Sequence, residues 1–168
     1  MSLDKENISK ALNIIALSIV VFVVLYIAIG FITNFFGIGF IRTQSIDKQV
    51  MIYRKDFENR ELKDKLIYFL LPKDTPYFTK FSNFAKYVRC KDGDMLSVKG
   101  LEYFCNGKLI GVAKTKDKNG KEVKPFVFDG IIPQGKYFVM GTHERSYDSR
   151  YWGFVDKNLI QGVSIWEL

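Results

Sequence analysis

The sequence is poor in the side chains that bind metals: its 168 residues include one histidine, His143, and two cysteines, Cys90 and Cys105. A protein zinc site takes three or four ligands, mostly from cysteine, histidine and acidic residues. Two cysteines and one distant histidine do not complete such a shell, so we expect no metal and no other cofactor. A Ser-His-Asp triad is not excluded, but it would depend on this one histidine.

Charged residues are absent from Ala11 to Ile41, where the sequence is almost continuously aliphatic or aromatic. A helix of about 20 apolar residues crosses a bilayer, whereas a cleavable secretory signal has an apolar core of only about 7–15 residues. We therefore predict one permanent transmembrane helix from Leu12 to about Ile32, with "TNFFGIGF" passing through the membrane interface. The alternative is a buried core helix.

The charge distribution leaves the orientation of this helix open. The N-terminal "MSLDKENISK" has two lysines and two acids. Four positive residues follow the span: Arg42, Lys48, Arg54 and Lys55. Counting positive charges alone would keep the C-terminal side in the cytoplasm, but this rule weakens for long translocated domains.

After Ile41 the pattern changes to short runs rich in β-branched and aromatic residues, which predict strands. These runs are "VMIY", "KLIYFLL", "KYVRC", "MLSVKG", "EYFCNGKLIGVA", "PFVFDG", "KYFVMG" and "GVSIWEL". Turn sequences such as "KDGD" and "PQGK" separate several of them, and no helical period is sustained. The sequence predicts a mainly β fold class, with a tail and transmembrane anchor over residues 1–41 and one antiparallel β domain over residues 42–168.

The net charge of +7 raises the question of an acidic partner. A nucleic-acid binder would interleave basic and aromatic residues on one platform, but the charges here lie mostly in predicted turns such as "KTKDKNGKEVK". We expect a solvated surface and no nucleic acid. A membrane-bound nucleic-acid adaptor is the competing interpretation and predicts salt-sensitive DNA binding. Anionic lipid headgroups would also attract this charge.

Cys90 and Cys105 have two interpretations that depend on the compartment. Outside the cytoplasm they would form a disulfide that closes a hairpin-sized loop and contributes roughly 2–4 kcal/mol. Inside the cytoplasm they would be two ordinary thiols.

Lys86 lies inside the strand-like run "KYVRC", where burial would strip water from its ammonium group. Desolvation lowers a lysine pKa from about 10.4 towards neutrality, and a neutral amine beside a serine hydroxyl acts as a general base. Ser45 is a candidate partner. These two residues alone do not establish the pairing, because a lone strand lysine more often extends into solvent.

Three segments resemble the type I signal peptidases. "GKYFVMGTHERSYDSRYWGFV" is similar to the C-terminal signature of that family, a Ser-x-Asp-Ser-Arg segment after a glycine-containing strand end. "KYVRCKDGD" resembles its lysine box, in which Gly93 and Asp94 follow Lys86 by seven and eight residues. "TQSIDK" stands where the nucleophile box is expected, just after the anchor. The resemblance implies a signal-peptidase-like β domain.

The resemblance also implies roles for individual residues. Ser45 resembles the nucleophile and Lys86 the general base. Thr43 resembles a hydroxyl that, with the Ser45 backbone N–H, holds the oxyanion, an effect of about 3–4 kcal/mol for a good donor. Ser146 resembles the hydroxyl that positions the lysine amine.

Asp148 and Arg150 resemble a buried ion pair behind the site. Burial of two charges is tolerable when each has an opposite partner and satisfied hydrogen bonds. We expect three flanking aromatic side chains to exclude water from the lysine amine: Tyr151, Trp152 and Phe154.

The chain departs from the family pattern at three places. The usual proline shortly after Ser45 is missing, and Asp92 replaces the common proline before Gly93. "GTH" stands where Gly-Asp-Asn is common, so Thr142 and His143 are atypical. These departures concern the substrate cleft more than the Ser/Lys pair.

The short length, "TKDKNGKEVKPF" and the ending "FVDKNLIQGVSIWEL" look like the TraF-type conjugative transfer peptidases. This resemblance implies a serine endopeptidase that removes leader peptides from a pilin or another secreted precursor, with the conjugation machinery as a further partner. It implies a single-pass protein of the inner (cytoplasmic) membrane whose catalytic domain lies on the periplasmic side, where a disulfide is favoured. The alternatives are a pilin-cyclising transpeptidase and an inactive assembly factor, the latter suggested by the missing proline.

Overall fold

The first of the two compact units of the chain contains one long helix. The computed structural model describes residues 5–168, and the units divide between Phe36 and Gly37. Helix α1 covers Lys5–Phe35, and its segment Asn7–Phe35 is long and apolar enough to span a membrane. The side chains of this segment are exposed, unlike those of a core helix. Such an apolar surface is favourable in hydrocarbon and costly in water.

The second unit is built from short strands. Their bounds are β1 (Phe36–Phe40), β2 (Val50–Arg54), β3 (Leu66–Leu70), β4 (Asn83–Cys90), β5 (Met95–Lys99), β6 (Glu102–Cys105), β7 (Lys108–Val112), β8 (Gly130–Ile131), β9 (Lys136–Met140), β10 (Val155–Asp156) and β11 (Ile160–Glu167). A short helix, α2 (Ser149–Trp152), and a 3-10 turn (Lys157–Leu159) precede the last strand.

Over residues 5–168 these strands form two sheets. The larger has the order β1-β2-β11-β3-β4-β9-β10, and the smaller has the order β7-β6-β5-β8. The pairings that involve β2 to β11 are antiparallel. The predicted mainly antiparallel β fold class is confirmed. Strand β4, which carries Lys86, is central in the larger sheet.

The structure adds a strand that was not predicted and corrects one that was. "FGIGF", expected in the membrane interface, forms strand β1 at the edge of the larger sheet. Gly37 allows this, because a Cβ there would lie 2.2 Å from the Tyr53 ring. "PFVFDG" is wrong as a strand over most of its length. Phe126 instead donates its backbone N–H to the Arg150 carbonyl at 2.7 Å.

The buried side chains form three clusters, one of which positions the site. The first centres on Ile67, Phe69 and Trp152. The second centres on Leu96, Tyr103 and Phe138. The third consists of Ile46, Met51, Leu66 and Ala85. Because Ile46 follows Ser45 and Ala85 precedes Lys86, one apolar cluster anchors the backbone beside both residues.

A disulfide joins the two sheets. It links Cys90 at the end of β4 to Cys105 at the end of β6, with the Cα atoms 5.7 Å apart. Asp94 lies close enough to make a three-residue cluster with these sulfurs. The sulfurs are bonded to each other, so neither is available as a thiolate ligand for a metal.

Candidate active site

Ser45 and Lys86 meet in the structure although 41 residues separate them along the chain. The Lys86 amine donates a hydrogen bond to Ser45 Oγ at 2.5 Å. Ser45 lies in the loop between β1 and β2, and Lys86 is on β4, paired with Ile67 of β3. A serine hydroxyl within hydrogen-bond reach of a lysine amine has the geometry of a nucleophile with its base.

The surroundings of Lys86 lower the pKa of its amine. Its side chain is 2% exposed, and burial lowers the pKa of the amine from its ordinary value of 10.5 to about 8. The negative charge of Asp148 opposes this shift and the positive charge of Arg150 adds to it. Burial has the largest effect on the pKa, because the loss of hydration destabilises the ammonium form more than the nearby Asp148 carboxylate stabilises it.

One aromatic neighbour of Lys86 was not among those expected from the sequence, and one expected residue, Tyr151, lines the same cavity. The Phe84 ring lies 5.5 Å from the Lys86 nitrogen. Trp152 packs instead against Phe69 in the first core cluster, and Phe154 packs against the second. Phe84 and Lys86 are two residues apart on β4 and so share a face. Sequence reasoning missed Phe84 because the predicted run "KYVRC" begins at Lys86, whereas β4 begins at Asn83.

Thr43 lies beside the serine hydroxyl. Its Oγ1 is 2.8 Å from Ser45 Oγ, and either hydroxyl is able to donate. A donor so close to the attacking oxygen is near the position that a developing oxyanion would take. The two hydroxyls and the amine thus form one connected group at the mouth of a cavity.

Ser146 is buried at the site but makes no hydrogen bond to the lysine amine among the described residues. It is 2% exposed, and within residues 5–168 its Oγ has no hydrogen-bond partner. Gly141 allows the segments that carry Ser45 and Ser146 to approach its backbone closely. A Cβ at this position would lie 2.2 Å from the Ser45 carbonyl oxygen and 2.3 Å from Ser146 Oγ. Only a residue without a side chain fits between them.

Asp148 and Arg150 form a buried ion pair behind Ser146. They are 0% and 3% exposed, and the guanidinium donates to both carboxylate oxygens at 2.8 Å. Arg150 also donates to the carbonyls of Val112 at 2.7 Å and Ser146 at 3.1 Å. Asp148 accepts from the Gly141 N–H at 3.0 Å. The pair therefore ties the Ser146 segment to the strand end at Gly141 and to β7.

The two atypical residues after Gly141 contact the serine segment. The His143 N–H donates to the Ser45 carbonyl at 3.2 Å, and Thr142 Oγ1 donates to Asp47 at 3.4 Å. The His143 ring accepts from the Arg145 N–H. No hydrogen bond joins this ring to the Ser45 hydroxyl among the described residues, so the geometry gives no support to a Ser-His-Asp triad.

A cavity of about 860 Å³ opens from Ser45 and Lys86. Aromatic side chains line much of it: Tyr68, Tyr77, Phe78, Phe84, Tyr147 and Tyr151. Tyr147 stacks on Tyr151 with ring centroids 5.3 Å apart. A concave, largely apolar cavity with a few polar groups at one end is typical of a binding site.

Comparison with known proteins identifies the family. The model of the family described as "Signal peptidase, peptidase S26" matches residues 11–167. The chain therefore belongs to the signal peptidase family, peptidase S26. The predicted membership of the signal peptidase family is confirmed.

Individual relatives match over shorter regions. "Signal peptidase I" of Buchnera aphidicola subsp. Acyrthosiphon pisum is 54% identical over 61 residues, which are 34% of this chain and 19% of that protein. "Signal peptidase I" of Haemophilus influenzae is 51% identical over 39 residues, which are 21% of this chain and 11% of that protein. The matching regions thus span less than a fifth of the length of either relative.

A crystal structure of a signal peptidase I from Enterococcus faecalis V583 is also similar. It has 24% sequence identity and a TM-score of 0.43, covering 62% of this chain and 97% of that one. At this TM-score the two structures do not support a comparison of individual residues.

Proposed function

We propose that this protein is a membrane-anchored serine endopeptidase that removes signal or leader peptides from secreted precursors. The observation that carries the proposal is the 2.5 Å contact between the Ser45 hydroxyl and the buried Lys86 amine. Membership of the signal peptidase family supports the same reaction. The substrate is a precursor polypeptide, and no cofactor takes part.

The proposed chemistry uses the neutral form of Lys86. The amine takes the proton of the Ser45 hydroxyl while Oγ attacks the carbonyl carbon of the scissile peptide bond. The resulting ammonium returns that proton to the leaving amine, which leaves an ester on Ser45. Water then attacks the ester, with Lys86 again as the base. The Thr43 hydroxyl and the Ser45 N–H stabilise the oxyanion formed in each step.

Ser146, Asp148 and Arg150 are proposed to support this pair. Ser146 would accept a hydrogen bond from the lysine amine after a movement of either side chain, since its hydroxyl is buried and both residues line the same cavity. The ion pair keeps the Ser146 segment and Gly141 in place, since Asp148 binds the Gly141 N–H and Arg150 binds the Ser146 carbonyl. These are positioning roles.

We place the protein in the inner membrane as a single-pass protein with its catalytic domain on the periplasmic side. Helix α1 supports the anchor. The Cys90–Cys105 disulfide supports an oxidising compartment. The resemblance to TraF-type peptidases supports a pilin or another conjugative-transfer protein as the substrate, near the conjugation machinery. Two related functions compete with hydrolysis: a pilin-cyclising transpeptidase, and an inactive assembly factor that keeps the fold.

Co-expression with a candidate pilin precursor, followed by intact-mass measurement, tests the proposal. We expect a product whose mass is lower by that of the leader peptide. A further loss of one water would indicate ring closure instead of simple hydrolysis. An unchanged precursor mass with every candidate, while the peptidase is folded and in the membrane, would favour the assembly factor.

The pH dependence of cleavage follows from the state of Lys86. Because only the neutral amine acts as a base, kcat/KM should rise about tenfold per pH unit in acid and level off above the pKa of about 8. Initial rates with one precursor from about pH 6 to about pH 10 would measure this, with folding checked by circular dichroism. A profile that is flat or that falls across this range would contradict a lysine base.

A further inference from the structure

The cavity that opens at Ser45 and Lys86 has a basic wall. A loop that follows β7, residues 114–119 and here named the lysine loop, lines the part of the cavity formed with Tyr77 and Tyr147. Three lysines of this loop line the cavity: Lys114, Lys116 and Lys118. Arg42 and Arg145 also line it. A cavity wall with one sign of charge attracts the opposite charge.

Two acids near this wall, Asp117 and Glu144, are already engaged. Asp117 accepts hydrogen bonds from the Tyr77 hydroxyl at 2.8 Å and from the N–H groups of Asn119 and Lys121 at 2.8 and 3.0 Å. Glu144 forms a salt bridge with Lys114 at 2.9 Å. The Asp117 carboxylate is therefore bound by O–H and N–H donors, and the Glu144 carboxylate by a positive amine. These partners offset the repulsion that each carboxylate would exert on an incoming anion.

Lys116 and Lys118 are the two cations of the loop that form no salt bridge within residues 5–168. Glu122 lies opposite Lys116 in an isolated antiparallel bridge, and its carboxylate forms no salt bridge with the Lys116 amine. The bond from Tyr77 to Asp117 joins the lysine loop to the loop before β4. Because Asp117 lies between the two lysines in sequence, this bond holds both of them at the cavity.

We infer that Lys116 and Lys118 select substrates that carry an acidic residue in the segment passing along the lysine loop. This inference rests on the proposed function. A polypeptide whose carbonyl carbon reaches Ser45 must enter this cavity, so its neighbouring side chains meet the loop. The same argument favours a peptide carboxylate over an anionic membrane surface, which would lie outside the cavity. Charge complementarity of this kind acts mainly on binding.

A charge scan of one precursor tests the inference. The probe is a precursor with an A-x-A-like cut site, carrying Glu, Gln or Lys in turn at each of about five positions on either side of the cut. The full-length peptidase is assayed in a neutral detergent. At one or more adjacent positions, Glu should raise kcat/KM about 3- to 10-fold over Lys through a lower KM, the size expected for two partly exposed ion pairs.

The lysine variants identify the groups responsible. The double variant Lys116→Gln/Lys118→Gln should remove the preference, and Lys116→Glu/Lys118→Glu should reverse it. Lys99→Gln/Lys108→Gln is the matched control, because both lysines lie on the smaller sheet and do not line the cavity; it should keep the preference. Raising the salt from about 0.05 M to about 0.5 M should weaken it.

Each contrary outcome is distinct. Equal cleavage of Glu and Lys precursors by the unaltered enzyme would overturn the inference and leave the proposed function standing. Lysine variants that keep the preference but lose binding to vesicles containing phosphatidylglycerol would also overturn it, because the lysines would then serve the membrane. An enzyme that cleaves none of the precursors would overturn the proposed function and, with it, this inference.

Discussion

Replacing Lys86 with methionine is expected to abolish precursor cleavage and to make the domain more stable. Loss of the base should lower kcat/KM by a factor on the order of 10⁴ to 10⁶, as for other units of nucleophile and base. Methionine has a similar length and no charge, so it fits a site where the native side chain is 2% exposed. The two effects have opposite signs because burial lowers the pKa of the amine, which raises the share of the neutral base that catalysis needs, and also makes the charged form costly to hold in the folded protein.

The stability effect has a defined pH window. The folded-state pKa of Lys86, about 8, lies below its ordinary value of 10.5, so between these two values the folded protein binds fewer protons than the unfolded one. Stability therefore rises with pH across that window. Below about pH 8 the cost of holding a buried charge is fully present, on the order of 3 kcal/mol. Lys86→Met removes this cost, so its advantage should be largest near neutrality and fade as the pH approaches 10.5.

Urea unfolding of the native protein and of Lys86→Met at several pH values would measure this difference in stability. Ser45→Ala is the matched variant: it should lose cleavage to a similar degree with little change in the free energy of unfolding, because Ser45 carries no charge. Cleavage retained in either purified variant would contradict the proposed pair. Loss of stability in Lys86→Met would show that the amine is better accommodated than its burial implies.

Replacing Asp148 with asparagine is expected to lower the free energy of unfolding by about 3–5 kcal/mol. The substitution leaves the Arg150 guanidinium, 3% exposed, without its counter-charge in a site that water does not reach. It also weakens the acceptor for the Gly141 N–H. Arg150→Met in the same chain should not restore stability, since the carbonyls of Val112 and Ser146 would then lose their donor.

An exposed pair provides the control for this prediction. Asp64 binds Arg89 at 3.0 Å, with Asp64 68% exposed, so Asp64→Asn should change stability little. The pH profile separates a positioning role from a purely structural one. Because the Asp148 charge raises the pKa of Lys86, the midpoint of kcat/KM in Asp148→Asn should move to lower pH. An unfolding free energy close to that of the native chain would contradict the buried-pair account.

Local sequence patterns were sufficient for the helix and for most strands. The uncharged stretch that predicted Leu12 to about Ile32 lies inside α1, and "KLIYFLL" and "KYFVMG" contain β3 and β9. Local patterns did not predict short elements whose conformation depends on packing against distant residues. "FGIGF" is a strand because Tyr53 fills the space beside Gly37. Helix α2 has only four residues, too few for a helical period to appear.

Residue types and their order along the chain indicated the site. The motifs singled out Ser45, Lys86, Asp148 and Arg150, and these residues lie together in the fold. The motifs did not reveal that Phe84 flanks the amine or that Ser146 Oγ is without a partner among residues 5–168. Such details depend on side-chain packing between distant segments, which no local pattern encodes.

The sequence by itself determined the apolar helix, the β class and the family, because hydrophobic periodicity and motif spacing are properties of neighbouring residues. Only the tertiary structure decided that the Ser45 hydroxyl and the Lys86 amine, 41 residues apart, lie 2.5 Å from each other. It also lowered the pKa of that amine. A pKa depends on which atoms exclude water from a group, and these atoms come from strands and loops that meet only when the chain folds.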